Sequence, residues 1–411
     1  MASSPGFAER IALYALLTAL TSFSIDALLP GLRQLGAELA PAPPLSTQHV
    51  ISLFIFGMVF GELLIGPLSD ALGRRPALMI GLGIYAFGSV IALTAPSLPL
   101  LVLGRILQGV GVAGPKIATR AMIRDQFEGD AMARVMSLMY TLFILVPMLA
   151  PTLAQGLIAL AGWRSLFAAY LVLAALGSGW LMLRHPETLP AGRRIALRPA
   201  LIWRNGGRIL AHLRVTLLIA ATGLVFGAQL LYLSTAPDLF FDLYGIAERF
   251  PLYFAGLALG IGLATFVNAA LVRRVGMASM AQAGFAGLIL SSTALFAASW
   301  AGHGRPALVL FMAGLFAAFF SIGILFGNLN ALAMRALGQI AGLGASLVSA
   351  GSSLVSTLFA VLLGRLYDGS AYGLSAGLLL AGLGGALLFA LVLRCDATPV
   401  EPVTAEADRS R

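Results

Sequence analysis

The segment QHVISLFIFGMVFGELLIGPLSDALGRRP, residues 48–76, runs apolar from Gln48 to Ser69 with Glu62 as its only charged side chain, then turns polar at Asp70, Arg74 and Arg75. A hydrocarbon layer about 30 Å thick takes about 20 residues of helix, so the segment reads as a membrane span ending in a charged turn. The same pattern recurs outward in both directions. Twelve such runs are expected, at 11–32, 48–69, 76–96, 98–119, 134–159, 165–183, 214–236, 250–271, 278–299, 306–330, 341–365 and 373–393.

Composition supports this reading. Hydrophobic residues make up 59% of the chain and charged residues 10%, against about 45–50% and about 25% in ordinary soluble domains. The net charge of +9 does not point to nucleic acid, because the arginines fall between apolar runs instead of gathering on one wet face. Cys395 is the only cysteine, which excludes an internal disulfide and a cysteine-rich zinc site. The first run continues past Asp26 to Leu32 without a clean small-residue cleavage site, so it is expected to be a retained span and not a signal peptide.

If both termini share one side, the connections on that side carry Arg74, Arg75, Arg124, Arg134, Arg184, Arg193, Arg194, Arg198, Arg204, Arg208, Arg273, Arg274 and Arg335, while the opposite loops hold little beyond Arg33, Arg164, Arg249 and Arg305. The positive-inside rule then makes both termini cytoplasmic. The longest polar interruption, His185 to Leu213, divides the chain into six runs plus six. Across that division SDALGRRP after run two is echoed by VNAALVRRVG after run eight. The expected architecture is an all-α membrane protein of twelve transmembrane helices in two pseudo-symmetric six-helix bundles, a plan that places a substrate site near the midplane. The expected divisions are 1–184, a cytoplasmic loop 185–213, 214–395, and a cytoplasmic tail 396–411.

Charges at membrane depth are costly and mark pathways or pairs. Asp26 in run one and Arg105 in run four fall at about the same depth on a rise of 1.5 Å per residue, so a pair is expected, acting either as a proton switch or as a static brace. Glu62 lies about 12 Å inside the cytoplasmic edge and is a second proton-binding candidate. Lys116 is the chain's only lysine. It follows Arg105 by eleven residues, which returns to nearly the same helix face, with Gln108 on the same stripe. Three roles stand open for Lys116: neutralising Glu62, offering charge to a substrate, or snorkelling to the interface. Gln229, Tyr232, Asn328 and Asn330 in runs seven and ten are the second half's candidates for substrate contact, with helix packing as the competing role.

GPLSDALGRRP, 66–76, and RILQGVGVAG, 105–114, resemble the loop and helix-four motifs of the major facilitator superfamily. SIDALLPGL at 24–32, STQ at 46–48, MIRD at 122–125 and the PET of HPETLP are similar to its Bcr/CflA branch of drug:proton antiporters. The resemblance implies that Gly66, Asp70, Gly73, Arg74, Arg75 and Asp125 form a cytoplasmic conformational switch, and that Arg105 and Asp26 couple protons to transport. Asn268 stands where a second copy of the loop motif would have Asp. The antiporter motif of helix five normally ends G-P-x-x-G-G, whereas residues 150–155 read APTLAQ, with Ala154 and Gln155 in place of the glycines.

The expected function is proton-coupled export of small organic molecules, drugs of chloramphenicol or bicyclomycin type or an anionic metabolite or siderophore, from a bacterial inner membrane, by a monomer in the lipid bilayer. Import of a metabolite with protons is the alternative. No metal or cofactor is expected, the proton being the coupling ion. An enzyme is not expected, because no H-E-x-x-H, G-x-S-x-G or paired metal ligands occur.

Overall fold

The computed structural model describes residues 6–40, 45–127, 129–194, 197–337 and 341–395, without the side chains of 128–134, 136–137, 140–144, 199 and 341–342. The expected tail, 396–411, and the Arg134 side chain lie outside that set. The helices are α1 (Phe7–Asp26), α2 (Leu32–Leu39), α3 (His49–Leu72), α4 (Arg74–Thr94), α5 (Leu98–Gln126), α6 (Gly129–Ala161), α7 (Arg164–Arg184), α8 (Pro199–Ala211), α9 (Leu213–Asp238), α10 (Phe250–Val275), α11 (Met277–Ala301), α12 (Leu308–Leu337), α13 (Ala341–Gly364) and α14 (Tyr372–Val392). Among the described residues eleven spans are long and apolar enough to cross a membrane, and α6, apolar over Leu145–Ala161, stands at the place of the fifth expected run.

The first span is not one straight helix. α1 stops at Asp26, a 3₁₀ turn follows at Leu29–Gly31, and α2 resumes the path at Leu32. Pro30 explains the break: it lacks an N–H and disfavours helical backbone at the residue before it. The last carbonyls of α1 therefore need partners from outside the helix.

Packing groups Met1–Ile195 with Leu233–Ala258 as one compact unit, and Ala196–Tyr232 with Leu259–Arg411 as another. Residues 233–258 meet the rest of the first unit through polar contacts. Arg33 pairs with Asp242 at 3.2 Å, Gln48 Nε2 donates to Asp238 at 3.3 Å, and Gln155 Nε2 donates to the Ala247 carbonyl at 3.1 Å. Gln155, which departs from the antiporter motif, has this bond as its structural role. The expected polar loop 185–213 also contains a helix, α8.

In the first unit α5 is the hub, packing along α4 and α3; in the second α11 packs along α12 and α14. Glycines set the α3–α5 spacing. A Cβ on Gly109 would stand 2.0 Å from the Phe54 carbonyl oxygen, and one on Gly57 2.1 Å from that of Ile106. Both obstacles are backbone and cannot turn aside, so the helices touch main chain to main chain.

Candidate functional site

Arg105 sits on α5 with no exposed surface, and each face of its guanidinium fork is engaged. Nη2 donates to the Ser24 carbonyl at 2.9 Å, Nε to the Val50 carbonyl at 3.1 Å, and Nη1 to Gln108 Oε1 at 2.9 Å. The guanidinium carbon lies 4.2 Å from the centre of the Phe54 ring, a cation–π contact that a desolvated charge strengthens. Ser24 is one of the carbonyls left open by the break after Asp26, so Arg105 caps α1 from another helix.

The network continues. Gln108 Nε2 donates to Ser89 Oγ at 2.6 Å, Ser89 Oγ donates to the Tyr85 carbonyl at 2.8 Å, and the Tyr85 and Ser24 hydroxyls share a bond of 2.6 Å. This ring joins α1, α3, α4 and α5. Ser24, Tyr85, Ser89 and Phe54 were not singled out in the sequence; the only signal for them was polar residues inside apolar runs.

Two expectations are corrected here. No ion pair joins Asp26 to Arg105 among the described residues: the arginine is spent on carbonyls and Gln108, while Asp26 stands 6% exposed at the last residue of α1. Gln108 is no free substrate contact, since both ends of its amide are engaged in holding Arg105.

Lys116, eleven residues on from Arg105, forms an ion pair with Glu62. Glu62 is fully buried, and the lysine side chain is 20% exposed. The stripe carrying Arg105 and Lys116 therefore faces α3 at two levels, Val50 above and Glu62 below, with the glycine contacts between. Of the roles left open for Lys116, the structure displays the pairing with Glu62.

The candidates from the second unit divide. Asn328 is buried and donates to Asn268 Oδ1 at 2.6 Å and to the Ile324 carbonyl at 2.8 Å. Exposed Asn330 donates to the Phe326 carbonyl in its own helix. Tyr232 packs edge-on against Phe319 with ring centres 4.8 Å apart. Each of these contacts lies within the second unit; Gln229 is half-buried on α9.

At the other end of the first unit, Arg74, the first residue of α4, is gripped by the ends of two helices, α3 and α5. Its guanidinium pairs with Asp70, with Asp125 at 2.9 Å and with Ser69 Oγ at 3.1 Å. Gly73 alone links α3 to α4, at φ +109, and a Cβ there would meet the Glu187 carboxylate at 2.5 Å. Gly66 is buried in α3. Arg75 Nη2 donates to the Met182 carbonyl at 2.8 Å. Glu187, from the PET triplet, accepts from the backbone N–H groups of Arg74 and Arg75 at 2.9 and 3.1 Å. It thereby caps α4, whose first N–H groups have no helical partner and favour a negative charge. No role for Glu187 is legible in the sequence, because the cap closes across 113 residues. Glu187→Ala is expected to cost about 1–2 kcal/mol, the range for a lost N-cap, read as a lowered melting temperature in detergent; an unchanged melt would reject the cap. In the second unit Gly276, at φ +86, alone links α10 to α11. The arginines before it, Arg273 and Arg274, are exposed and make no ion pair among the described residues.

The sequence matches the Major Facilitator Superfamily over residues 11–354. It is 27% identical to a bicyclomycin resistance protein homolog of Haemophilus influenzae over 277 residues, 67% of this chain and 69% of the relative. It is also 27% identical to the multidrug resistance protein MdtL of Escherichia fergusonii, over 93% of this chain and 94% of the relative. The crystal structure of a D-xylose-proton symporter superposes with a TM-score of 0.72 at 16% identity, covering 96% of this chain and 99% of that one, a likeness of fold.

Proposed function

Because the chain belongs to the Major Facilitator Superfamily, a family of membrane transporters and not enzymes, we propose that it exports small organic molecules in exchange for protons by alternating access. The observation that carries this reading is the buried Asp26 at the broken end of α1, two residues from the carbonyl that Arg105 holds. Binding a proton changes the charge of a buried carboxyl group, and with it the cost of every conformation that hydrates or desolvates that group. A proton and a substrate that prefer different conformations are then thermodynamically linked. Arg105 is the fixed positive charge that holds the Ser24 carbonyl, two residues before that acid, and the Asp70–Arg74–Asp125 cluster is the switch at the cytoplasmic ends.

The names of the relatives support drug-like substrates. Pairing with Glu62 removes the lysine from the argument for an anion. Asp26, Glu62, Arg105 and Lys116 sum to zero when Asp26 is ionised and to one positive charge when it is protonated, which disfavours cations. We therefore assign neutral amphipathic molecules as substrates. The setting is a bacterial inner membrane, with a monomer whose termini are cytoplasmic by its arginine distribution.

The test is proton release from acid-loaded inside-out vesicles on adding bicyclomycin- or chloramphenicol-like compounds. Wild type is expected to collapse the gradient and Asp26→Asn to leave it intact. Undiminished release in the variant rejects Asp26 as the coupling acid, and substrate moving in the same direction as the proton replaces export by import.

A further inference from the structure

Helix α8 takes no part in the network or the switch. Its sequence, PALIWRNGGRILA, has two faces. Asn205 and Ile209 are buried, and Gly206 lies beside Leu347 on α13. On the opposite face Trp203 is 81% exposed and Leu210, two turns on, is 50% exposed. Arg204 and Arg208, one turn apart, border this apolar edge.

Charge and position say what covers that face. Residues 188–237 hold Arg193, Arg194, Arg198, Arg204, Arg208 and Arg214 and no carboxylate side chain. α8 ends one residue before α9, a membrane-spanning segment, begins at Leu213. The helix is thus tethered at the depth where the chain enters hydrocarbon. Tryptophan is favoured at that depth because its ring is apolar and its N–H is polar. A helix with arginines beside an apolar edge lies in the headgroup layer and is drawn to anionic lipid.

We propose that α8 is a docking surface for anionic phospholipid, with Trp203 and Leu210 at the acyl boundary and the net positive charge of the segment from Arg193 to Arg214 drawing the anionic headgroups. This assignment does not depend on what the protein transports.

The test uses the full chain in phosphatidylcholine nanodiscs containing a minor fraction of lipid with brominated chains, which quenches tryptophan on contact. The Trp203 signal is the difference between wild type and Trp203→Phe. Brominated phosphatidylglycerol is expected to quench that signal several-fold more than the same fraction of brominated phosphatidylcholine, on a scale of about five-fold in lipid preference per engaged arginine. The preference should shrink toward parity at about 1 M salt, where the screening length is about 3 Å. That readout needs no further variant. Equal quenching by the two lipids at low salt would overturn the proposal, as would a Trp203 signal that neither lipid touches. Shielding that grows with the number of chains per disc would identify a second copy as the occupant instead, and would also overturn it.

Discussion

Arg105→Lys should leave a protein that inserts and folds but no longer exchanges protons for substrate. The native guanidinium spends three nitrogens on the Ser24 carbonyl, the Val50 carbonyl and Gln108 Oε1, an arrangement that needs a rigid planar fork. An ammonium keeps the charge, but its donors radiate from one atom and cannot reach three separate acceptors in that geometry. At least one bond to a charged group is lost, about 1.5–3 kcal/mol, along with the planar stacking on Phe54. If a bare positive charge at this position were enough, the lysine variant would couple like wild type in the vesicle assay. Arg105→Met removes the charge as well and leaves three buried acceptors without their donor, so its melting temperature should fall further than that of the lysine variant.

Lys116→Met should be among the most destabilising single changes in the chain, and Glu62→Gln added to it should restore most of the loss. Removing one member of a buried ion pair costs about 3–5 kcal/mol, because the other charge stays behind in low dielectric. Glu62 has no exposure of its own to fall back on. Replacing both members is often close to neutral. The measurement is a double-mutant cycle on melting in detergent. Strict additivity of the two substitutions would refute the pair as an energetic unit and return Lys116 to a snorkelling role.

What the sequence disclosed differs from element to element for physical reasons. The spans were legible because a bilayer imposes a length and a composition on each helix that no loop imitates. The Asp70–Arg74 contact was legible because it closes over four residues. Asp26 and Arg105 were placed at one level by counting rises, but counting gives height and not direction. The direction was fixed by the break at Pro30, which left a main-chain oxygen for the arginine to fill. Glu62 and Lys116 differ in a way that helps: two helices pressed together along glycines keep nearly the same step, so twelve residues on α3 match eleven on α5 and both polar contacts form. For Gln108, Asn328 and Asn330 the sequence leaves substrate contact open, because amides in spans look available. Their partners, Ser89, Asn268 and the Phe326 carbonyl, come from packing or from the helix turn itself. Residues 233–258 also meet the first unit through Gln48, Arg33 and Gln155, none of which has a sequence neighbour to betray the contact.

The Lys116–Glu62 contact has a spectroscopic consequence. With one lysine in 411 residues, the protein has a single side-chain amine, and reductive methylation with carbon-13 formaldehyde preserves its charge. The side chain is one-fifth exposed, enough to admit a small reagent. The labelled protein then gives one dimethyl-lysine resonance, told from that of the N-terminal amine by its loss in Lys116→Met, from a point between α3 and α5. Its frequency and line width can be followed as pH, substrate and lipid are changed, making this ion pair a built-in reporter of the transport cycle.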